Sequence, residues 1–432
     1  MTIDNPFYHR GAIRHAADFH GRTAEINQIL GLLRNGQSVS LIGPRRIGKS
    51  SLLLHLTRPT TRQIGGLDPN TLLVLIDCQE IGGAPAEEVY EALTTALLDT
   101  AEDAGLTLNL SQRLDSYRAF DRAINRIYRQ EYQVVILFDE FELLAANEQL
   151  TPYFFARLRG LTTKYGLAYL TASQRPLFDI TADEEILSSP FFNIFVTLPL
   201  GLYSPDEAHS LFTTRLANDK PFPPNLINHL INLVGCHPFF LHIAGYHTYQ
   251  FLSQNNTPNL KQIDELIEVE ADSHLGYLWQ NLSDSDQYAL AITAGPVDNI
   301  RLLEQQCLIT SDEDGYQYSS EILRRFVRRQ QVTGLIQAGP FVINPQRHQV
   351  HIHGRENNLT NSQFDLLTCL ASRYEKVVPS DVLETAVWGD ALVDDPDRLK
   401  TLIKRLRRAI EPYGSWIISE RGIGYALRPP EA

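Results

Sequence analysis

The sequence predicts an α/β protein in which a doubly wound parallel sheet is followed by a helical lid and then by two smaller domains of the winged-helix type. Three observations lead to this prediction. Short apolar runs alternate with longer amphipathic stretches over the first 200 residues. From about Ser204 the strand-like runs fade and helical periodicity takes over. Two later segments each combine helices with a glycine-containing hairpin. Regular alternation of strands and helices is typical of doubly wound folds.

Composition limits the number of domains and the class of protein. The chain has 432 residues, which at roughly 150 residues per domain predicts about three domains. Its net charge of −13 excludes a surface coated uniformly for nucleic acid, but it allows one local basic patch. The four cysteines form no CxxC pair, so neither a zinc site nor a disulfide framework is expected at Cys78, Cys236, Cys307 and Cys369.

No segment of the sequence has the composition of a signal peptide or of a membrane span. Residues 1–19 mix polar, charged and apolar side chains and lack an apolar core region. No stretch approaches the roughly 18 apolar residues that a spanning helix needs. We therefore expect a soluble, cytoplasmic protein with no membrane partner.

The first domain is predicted to cover residues 1–200. Its strand candidates are short and almost continuously apolar, as strands are when helices cover both faces of a parallel sheet. They lie at residues 39–42, 72–76, 134–138, 167–171 and 193–198. Helical stretches separate these runs, for example at residues 87–103, 117–129 and 152–164.

Three further domains are predicted after the first. Residues 201–280 read as a helical lid, which begins at a capping box formed by Ser204 and Glu207. Residues 281–335 show two helices, a hairpin around Asp314-Gly315 and a basic helix, the order of a winged helix. Gly339-Pro340 marks the next boundary, and residues 340–432 form the last domain.

A glycine-rich segment follows the first predicted strand and precedes a predicted helix. It matches GxxxxGK[ST] in full, through Gly43, Pro44, Arg45, Arg46, Ile47, Gly48, Lys49 and Ser50. Such a loop turns its backbone N–H groups toward phosphates, and the helix N-terminus adds its positive dipole end. We expect Lys49 to reach the β- and γ-phosphates of ATP, and the Ser50 hydroxyl to ligate Mg²⁺. The motif predicts that the first domain is a P-loop NTPase domain.

Two acids end the predicted strand at residues 134–138. We expect Asp139 to hold Mg²⁺ through water, and Glu140 to orient or deprotonate the attacking water. A polar segment ends the next strand, and its Arg175 either stabilises phosphate charge as an arginine finger does or is a surface arginine beside Pro176. The catalytic candidates are Lys49, Asp139, Glu140 and Arg175.

Together with this loop, several other segments of the sequence resemble the STAND-type ATPases of bacteria and archaea. These ATPases are related to AAA+ proteins and to the NACHT and NB-ARC switches. The resemblance rests on Asn5-Pro6-Phe7, on Phe19-His20-Gly21-Arg22, on the loop itself and on Gly235-Cys236-His237-Pro238. The last segment is similar to the family's GxP element, with one extra residue. By this resemblance Pro238 packs on the adenine, and the turn at residues 19–22 lies near the base and ribose.

The resemblance spans about residues 5–330 and implies an activity as well as a site. It implies a slow ATPase that is closed with ADP, and open and homo-oligomeric with ATP. The implied nucleotide contacts are Phe19, Gly21, Arg22, Gly43, Pro44, Arg45, Arg46, Ile47, Gly48, Lys49, Ser50, Ser51 and Pro238. Many such proteins carry a long repeat array as a sensor; no such array is recognisable here, so the activating signal or partner protein is unknown.

The last domain contains a basic helix that follows two other predicted helices. Apolar residues repeat at helical spacing in it, as a buried stripe does: Leu399, Leu402, Ile403 and Leu406. Basic and polar residues lie between them and are candidates for contacts in the DNA major groove: Arg398, Lys400, Thr401, Lys404, Arg405, Arg407 and Arg408.

A hairpin with the sequence Arg421-Gly422-Ile423-Gly424-Tyr425 follows this helix. The hairpin, Ala386-Val387-Trp388-Gly389 and the run from Ile403 to Arg407 together resemble the OmpR/PhoB effector domain. This resemblance covers the whole last domain and implies direct binding of double-stranded DNA. The basic helix would occupy the major groove and Arg421 the minor groove, with Gly422 and Tyr425 in the wing. A winged helix used for protein contact is the alternative.

The charge of the last domain is balanced. Residues 340–432 hold 12 lysines and arginines and 12 acids, so the net deficit lies in residues 1–339. Acids precede the basic helix, at Asp394, Asp395 and Asp397, so non-specific DNA affinity should be modest and salt-sensitive. The other basic helix carries Arg324, Arg325, Arg328 and Arg329. We expect that helix to pack on the ATPase with its charges solvated.

Three functions compete at this point. The leading hypothesis is a signal-responsive transcriptional regulator in which ATP binding and hydrolysis switch DNA binding. The first alternative is an ATP-dependent DNA-loading or DNA-remodelling ATPase, which should show DNA-stimulated hydrolysis. The second is a STAND-type immune sensor that uses its winged helix to contact a partner. A phosphorelay regulator is disfavoured, because an NTPase domain occupies the place of a receiver domain.

Overall fold

The structure is a computed structural model, and it describes residues 5–7, 11–108, 114–180, 190–216, 221–255, 257–292, 297–312, 315–330, 334–389 and 397–430. The chain divides into two compact units. The first consists of Met1–Ile231 with Cys236–Pro258, and the second of Asn232–Gly235 with Asn259–Ala432. Within the described residues, no helix is both long and apolar enough to cross a membrane.

A five-stranded sheet organises the first unit. Its strands are β1 (Ser38–Ile42), β2 (Thr71–Asp77), β3 (Gln133–Asp139), β4 (Ala168–Ser173) and β5 (Phe195–Pro199), in the order β2-β3-β4-β1-β5. Every pair of neighbours is parallel. β1 is buried along its whole length, because strands pair with it on both sides and helices cover the sheet. The predicted parallel α/β sheet is confirmed.

Helices connect these strands, and their apolar faces form the core. They are α1 (Thr23–Arg34), α2 (Lys49–Leu56), α3 (Pro59–Ile64), α4 (Ala86–Asp103), α5 (Tyr117–Tyr128), α6 (Phe141–Ala145), α7 (Pro152–Tyr165) and α8 (Leu177–Ile180). In α5 the buried residues recur at helical spacing, at Phe120, Ala123, Ile124 and Ile127. They pack with strand residues such as Val134 and Ile136 in one apolar cluster.

Three more helices follow the sheet: α9 (Pro205–Arg215), α10 (Pro224–Val234) and α11 (Pro238–Gln254). The predicted capping box forms at the start of α9. Ser204 Oγ accepts the Glu207 N–H, and Glu207 Oε2 accepts the Ser204 N–H at 2.9 Å. These helices belong to the first unit, apart from the last residues of α10.

The fourth helix of the predicted lid, α12 (Leu260–Gln280), belongs to the second unit instead. It is followed by α13 (Asp284–Ile292), α14 (Val297–Gln305), the antiparallel strands β6 (Ile309–Asp312) and β7 (Gly315–Tyr318), and α15 (Glu321–Arg329). Trp279 of α12 packs edge-on to Phe326 of α15 at 6.4 Å between ring centres. The predicted stretch 201–280 is therefore divided, because α12 finds its packing partner in α15. Asp314 of the predicted turn lies outside the described residues.

The rest of the second unit begins with a four-stranded antiparallel sheet. Its strands are β8 (Ile336–Ala338), β9 (Phe341–Asn344), β10 (Gln349–Ile352) and β11 (Arg355–Asn357), in the order β11-β10-β9-β8. Then come α16 (Asn361–Ala371), β12 (Val377–Pro379), α17 (Ser380–Trp388), α18 (Arg398–Ala409), β13 (Ile417–Glu420) and β14 (Gly424–Leu427). The last strands form an antiparallel sheet in the order β12-β14-β13. Three helices with a terminal hairpin confirm the predicted winged helix; Asp394 and Asp395 lie outside the described residues.

Candidate functional sites

A cavity of about 260 Å³ lies at the carboxyl ends of β1, β3 and β4, the edge at which parallel α/β sheets bind ligands. It contains most of the residues that the sequence predicted as nucleotide contacts. Its lining includes Phe19, Arg22, Arg45, Arg46, Ile47, Gly48, Lys49, Ser50, Ser51, Asp139, Glu140 and Pro238. It also includes Gln174, from the polar segment that ends the next predicted strand, and residues that were not predicted, among them Glu142, Tyr203, Phe239 and His242.

The backbone of the phosphate loop requires glycine at two positions. Gly48 has a φ of 104°, which L side chains rarely adopt. A Cβ at Gly43 would lie 2.5 Å from the Leu200 carbonyl oxygen, so a side chain there would force the loop away from the segment after β5. The Gly43 N–H donates to the Ser173 carbonyl at 3.1 Å, which joins the start of the loop to the end of β4.

Lys49 is buried beneath the loop. Its ammonium donates to the carbonyl oxygens of Gly43 at 2.7 Å and of Pro44 at 3.0 Å. Burial lowers the pKa of Lys49, and the carboxylates of Glu142, Asp139 and Glu140 oppose that shift, in this order of strength. The lysine therefore sits in the loop as its sequence position predicts, with three acids near it.

Asp139 and Ser50 are the two residues that the sequence predicts to hold Mg²⁺. Burial raises the pKa of the Asp139 carboxyl, while its hydrogen bond with the Ser50 side chain lowers it. A serine hydroxyl and a carboxylate are hard oxygen donors, and Mg²⁺ in nucleotide sites uses one or two such groups besides phosphates and water. The two residues fit Mg²⁺. Among the described residues there is no cluster of three or more His, Cys, Asp or Glu side chains that would hold a metal without phosphates.

Glu140 is held by a residue that the sequence did not single out. It is the N-cap residue directly before α6 and has the left-handed conformation, with a φ of 50°. Its Oε2 accepts a hydrogen bond of 2.7 Å from the Gln79 side-chain amide. Gln79 follows β2, and the end of β2 lies beside the end of β3 because Asp77 pairs with Asp139. The strand order could have indicated Gln79, but the order is not readable from one sequence.

The segment after β4 contributes Gln174 rather than Arg175 to the cavity. Arg175 is exposed and does not line it. Its carbonyl oxygen accepts the Ser173 hydroxyl at 2.7 Å, which fixes the turn. The Gln174 N–H donates to Glu142 Oε1 at 3.2 Å. An arginine-finger role for Arg175 stays a prediction, and it needs either a rearrangement of this turn or an active site on another chain.

Aromatic residues and a proline also line the cavity. Phe19 stacks on His55 of α2 with 3.9 Å between ring centres. Pro238 is the first residue of α11, and the Arg46 guanidinium lies 4.3 Å from the ring centre of the next residue, Phe239. The phosphate loop thus contacts the helix that carries the GxP-like element. Gly21 does not line the cavity, although its neighbour Arg22 does.

Arg22 is almost completely buried and joins three segments of the first unit. Its guanidinium donates to the carbonyl oxygens of Ile47 at 3.2 Å and Gly201 at 2.6 Å, and pairs with Glu25 at 2.9 Å. Its backbone N–H donates to Glu207 Oε1 at 2.7 Å. Gly21 has a φ of 68°, a conformation that favours glycine, and a Cβ there would lie 2.8 Å from the same Glu207 oxygen. Gly21 and Arg22 therefore shape the cavity wall by connecting the loop to α9.

The basic helix of the last domain is α18, and its predicted apolar stripe is buried at all four positions, Leu399, Leu402, Ile403 and Leu406. The side chains between them fall into two groups. The exposed group consists of Lys400, Thr401, Lys404, Arg405 and Arg408. Thr401, Lys404, Arg405 and Arg408 follow helical spacing and so share the face opposite the stripe.

Arg398 and Arg407 form the second group, because contacts within the domain engage both. The Arg398 guanidinium lies 4.2 Å from the centre of the Trp388 ring and 3.7 Å from Glu384. Arg407 donates twice to the Ile417 carbonyl, at 3.1 and 2.6 Å, and once to Ser419 Oγ at 3.1 Å. Arg407 thereby fixes α18 to the first strand of the hairpin.

The hairpin tip is exposed at Arg421 and Gly422. Gly422 has a φ of 79°, as a tight turn requires. Tyr425 is half-buried on β14, where it pairs with Val378 and Ser419. The predicted wing residues thus divide into an exposed tip and a tyrosine within the sheet.

Fold and cavity define the class as a P-loop NTPase joined to a winged-helix domain. The chain belongs to the family Novel STAND NTPase 2, whose model matches residues 35–295. A second family model, Transcriptional regulatory protein, C terminal, matches residues 354–427. The STAND and OmpR/PhoB resemblances are both confirmed.

The chain is also similar to individual proteins, each over part of its length. The chain is 34% identical over 97 residues to the sensory transduction protein RegX3 of Mycolicibacterium smegmatis, a match that covers 22% of this chain and 42% of RegX3. It is also 34% identical over 97 residues to the DNA-binding dual master transcriptional regulator RpaA of Synechocystis, covering 22% of this chain and 40% of RpaA. The chain thus spans less than half the length of these relatives.

A solved structure resembles the larger part of the chain. The Walker-type ATPase PABY2304 of Pyrococcus abyssi has a TM-score of 0.55 and 18% identity, and the match covers 75% of this chain and 99% of that one. At this identity the likeness shows the fold alone.

Proposed function

We propose that this protein is an ATP-binding and ATP-hydrolysing switch that controls DNA binding by its C-terminal domain and acts as a signal-responsive transcriptional regulator. One observation carries the proposal. A single chain joins an NTPase family match at residues 35–295 to a response-regulator-type DNA-binding match at residues 354–427. Phosphorylation of a receiver domain controls many domains of the second kind, so an NTPase in the same chain supplies an alternative source of control.

In this proposal the cavity residues divide the work of ATP hydrolysis. Lys49 and the loop N–H groups bind the phosphates, and Glu140 accepts the proton of the attacking water. Gln79 holds Glu140 at 2.7 Å and so sets its position before that step. Ser50 and Asp139 would hold Mg²⁺, which when bound supplies charge neutralisation at the phosphate oxygens. Pro238 and Phe19 would contact the base.

The DNA contacts in this proposal come from the exposed side chains of α18 and the hairpin tip. Thr401, Lys404, Arg405 and Arg408 would enter the major groove, and Arg421 the minor groove. Arg398 and Arg407 act differently, because they keep the helix and the hairpin in place. ATP-dependent homo-oligomerisation would multiply single-site contacts through effective concentration.

The experiment that tests the proposal compares DNA binding in different nucleotide states. A duplex selected from a random pool by the full-length protein is titrated with ADP, with a non-hydrolysable ATP analogue and without nucleotide, each at two salt concentrations. We expect one nucleotide state to bind at least about tenfold more tightly, a difference of about 1.4 kcal/mol. Lys49→Ala is the control, and it should remove the difference between states.

Equal DNA binding in all states would contradict the switch. DNA-stimulated ATP hydrolysis would then favour a DNA-loading or DNA-remodelling ATPase, and its absence would favour a sensor that uses the winged helix for partner contact. Glu140→Gln tests the chemistry separately, since loss of the base should slow hydrolysis roughly 100-fold or more while ATP still binds. A wild-type rate in that variant would show that Glu140 is not the base.

A further inference from the structure

Three helices of the first unit cover the same face of the five-stranded sheet. Buried side chains of α4, α5 and α7 pack in one apolar cluster with alternate residues of two strands, Leu72, Val74 and Ile76 of β2 and Val134, Ile136 and Phe138 of β3. Alternate residues of a strand point to one face of its sheet. The sides of these helices that lie away from the cluster therefore form one outer surface of the first unit.

The outer side of α4 is acidic. The buried residues of this helix lie on one side, for example Val89, Leu93 and Leu97. Four exposed acids follow helical spacing on the opposite side: Glu88, Glu91, Asp99 and Glu102. Within the part of the chain that the structure describes, none of these carboxylates forms an ion pair. They form an acidic stripe about 21 Å long, at roughly 1.5 Å per residue.

The outer side of α5 is basic. The buried residues of α5 include Phe120 and Ile124, and four exposed arginines lie on the opposite side. They recur at helical spacing and continue to the residue that follows the helix: Arg118, Arg122, Arg126 and Arg129. The two helices pack side by side, with 6.4 Å between the ring centres of Tyr90 in α4 and Phe120 in α5. A basic stripe about 17 Å long thus runs beside the acidic stripe.

Two exposed aromatic rings lie on the same surface. Tyr128 of α5 is 51% exposed, and its ring centre lies 5.6 Å from that of Tyr165 in α7. Tyr153 of α7 is 64% exposed, and the Arg157 guanidinium lies 4.3 Å from its ring centre. Protein–protein interfaces are enriched in tyrosine and arginine. The surface therefore has the composition of a protein interface, and it carries two stripes of opposite charge.

The arrangement of the two stripes decides which partner fits. A nucleic acid or another polyanion would be attracted by α5 but repelled by α4 beside it. A second copy of this chain carries both stripes, and one two-fold axis places each acidic stripe against the basic stripe of the other copy. We propose that the outer sides of α4 and α5 form a self-complementary surface at which two copies of the chain pair. None of the stripe residues lines the nucleotide cavity, so this pairing goes beyond the proposed function and needs no nucleotide.

The test reverses the charge of each stripe separately in the full-length protein. One variant changes three acids of the acidic stripe to lysine: Glu88→Lys, Glu91→Lys and Asp99→Lys. A second variant changes three cations of the basic stripe to glutamate: Arg118→Glu, Arg122→Glu and Arg129→Glu. Sedimentation equilibrium over a concentration series, with ADP and without nucleotide, measures the dissociation constant of the pair. We expect each variant alone to associate at least about tenfold more weakly than wild type, because like charges then face each other.

An equal mixture of the two reversed variants shows whether the stripes face each other. Opposite charges meet again at both contacts, so association should return to within about threefold of wild type. The wild-type pair should also weaken at 1 M salt, where the Debye length is about 3 Å. The matched control reverses three exposed acids on other helices and should associate as wild type does: Asp206→Lys, Glu265→Lys and Asp284→Lys.

Three results would overturn the proposal. They are a wild type that stays monomeric in both conditions, reversed variants that pair as wild type does, and a mixture that stays dissociated. Loss of DNA affinity in the Arg118→Glu, Arg122→Glu and Arg129→Glu variant without loss of self-association would assign the basic stripe to DNA instead. Because the readout is association without ATP, a failure of the proposed nucleotide switch would leave this result unaffected.

Discussion

The two basic helices of the second unit, α15 and α18, have similar sequences and different surroundings. Each is amphipathic, each carries its apolar side chains on one buried stripe, and each bears at least four cations. In α15, two arginines form ion pairs with acids of α12. Arg325 pairs with Glu268 at 2.5 Å, and Arg329 pairs with Asp272 at 2.6 Å. In α18 the face opposite the stripe is exposed at Lys404, Arg405 and Arg408.

The two helices thus differ in their neighbours: acids of α12 engage cations of α15, whereas, among the described residues, no acid forms an ion pair with these three cations of α18. We expected the charges of α15 to be solvated. Arg325 and Arg329 are 42% and 46% exposed, and they also pair with acids of α12. Arg325 also lies 3.9 Å from Asp264, and Arg324 pairs with Glu321 at 2.6 Å in its own helix. The acids of α12 thus engage two cations of α15, while the exposed face of α18 stays available for the proposed DNA contact.

The largest loss of DNA affinity is expected from removing the exposed cations of α18. Lys404→Ala with Arg405→Ala should lower affinity for the selected duplex roughly 10- to 100-fold, because each lost contact to phosphate or base contributes about 1 kcal/mol or more. The slope of log affinity against log salt should fall by up to about 2. Fluorescence anisotropy over a salt series measures both quantities, and an unchanged slope would exclude this face from the DNA contact.

The second prediction separates anchoring from DNA contact within α18. Arg407→Ala should lower the free energy of unfolding by about 1.5–2 kcal/mol, since it leaves a carbonyl and a hydroxyl on β13 without their charged donor. Urea unfolding of the full-length protein, followed by a probe in the last domain such as Trp416, measures this. Arg408→Ala removes an exposed neighbour and should change stability by less than about 0.5 kcal/mol. Equal stability of the two variants would contradict the anchoring role.

The third prediction concerns the ion pair between Glu268 of α12 and Arg325 of α15. Glu268→Gln should destabilise the second unit by about 0.5–1 kcal/mol, a small effect because the paired Arg325 is 42% exposed and solvent screens the pair. The effect should shrink further at 1 M salt, where the Debye length is about 3 Å. Thermal unfolding at low and high salt measures it. Destabilisation that does not depend on salt would indicate lost packing rather than lost charge.

The smallest change in DNA affinity is expected when cations are removed from α15. Arg325→Ala with Arg329→Ala removes as many charges as the α18 double variant, but from α15, where both arginines pair with acids of α12. DNA affinity should stay within about twofold of wild type, and the salt slope should not change, because these arginines already have carboxylate partners. A loss comparable with that of the α18 variant would show that α15 also contacts DNA.

A large part of the nucleotide site could be predicted from short segments of the sequence. The loop from Gly43 to Ser50 is one continuous segment whose spacing already dictates its turn, and most of its residues line the cavity. Asp139 and Glu140 follow from one buried strand. The contribution of Gln79 could not be foreseen, because it depends on which strand ends lie side by side. Arg175 illustrates the same limit, since the turn after β4 brings its neighbour and not the arginine to the cavity.

By itself, the sequence determined the elements of this protein: the parallel sheet, the phosphate loop, the lid helices and the apolar stripe of each basic helix. These features depend on periodicity and on short motifs, which act through neighbours along the chain. The tertiary structure alone decided which partner each charge finds. It gave α12 to the second unit, paired its acids with Arg325 and Arg329, fixed Arg407 to β13, and placed Gln79 against Glu140. Electrostatic interactions depend on distance in space and on burial, and neither is set by position along the chain.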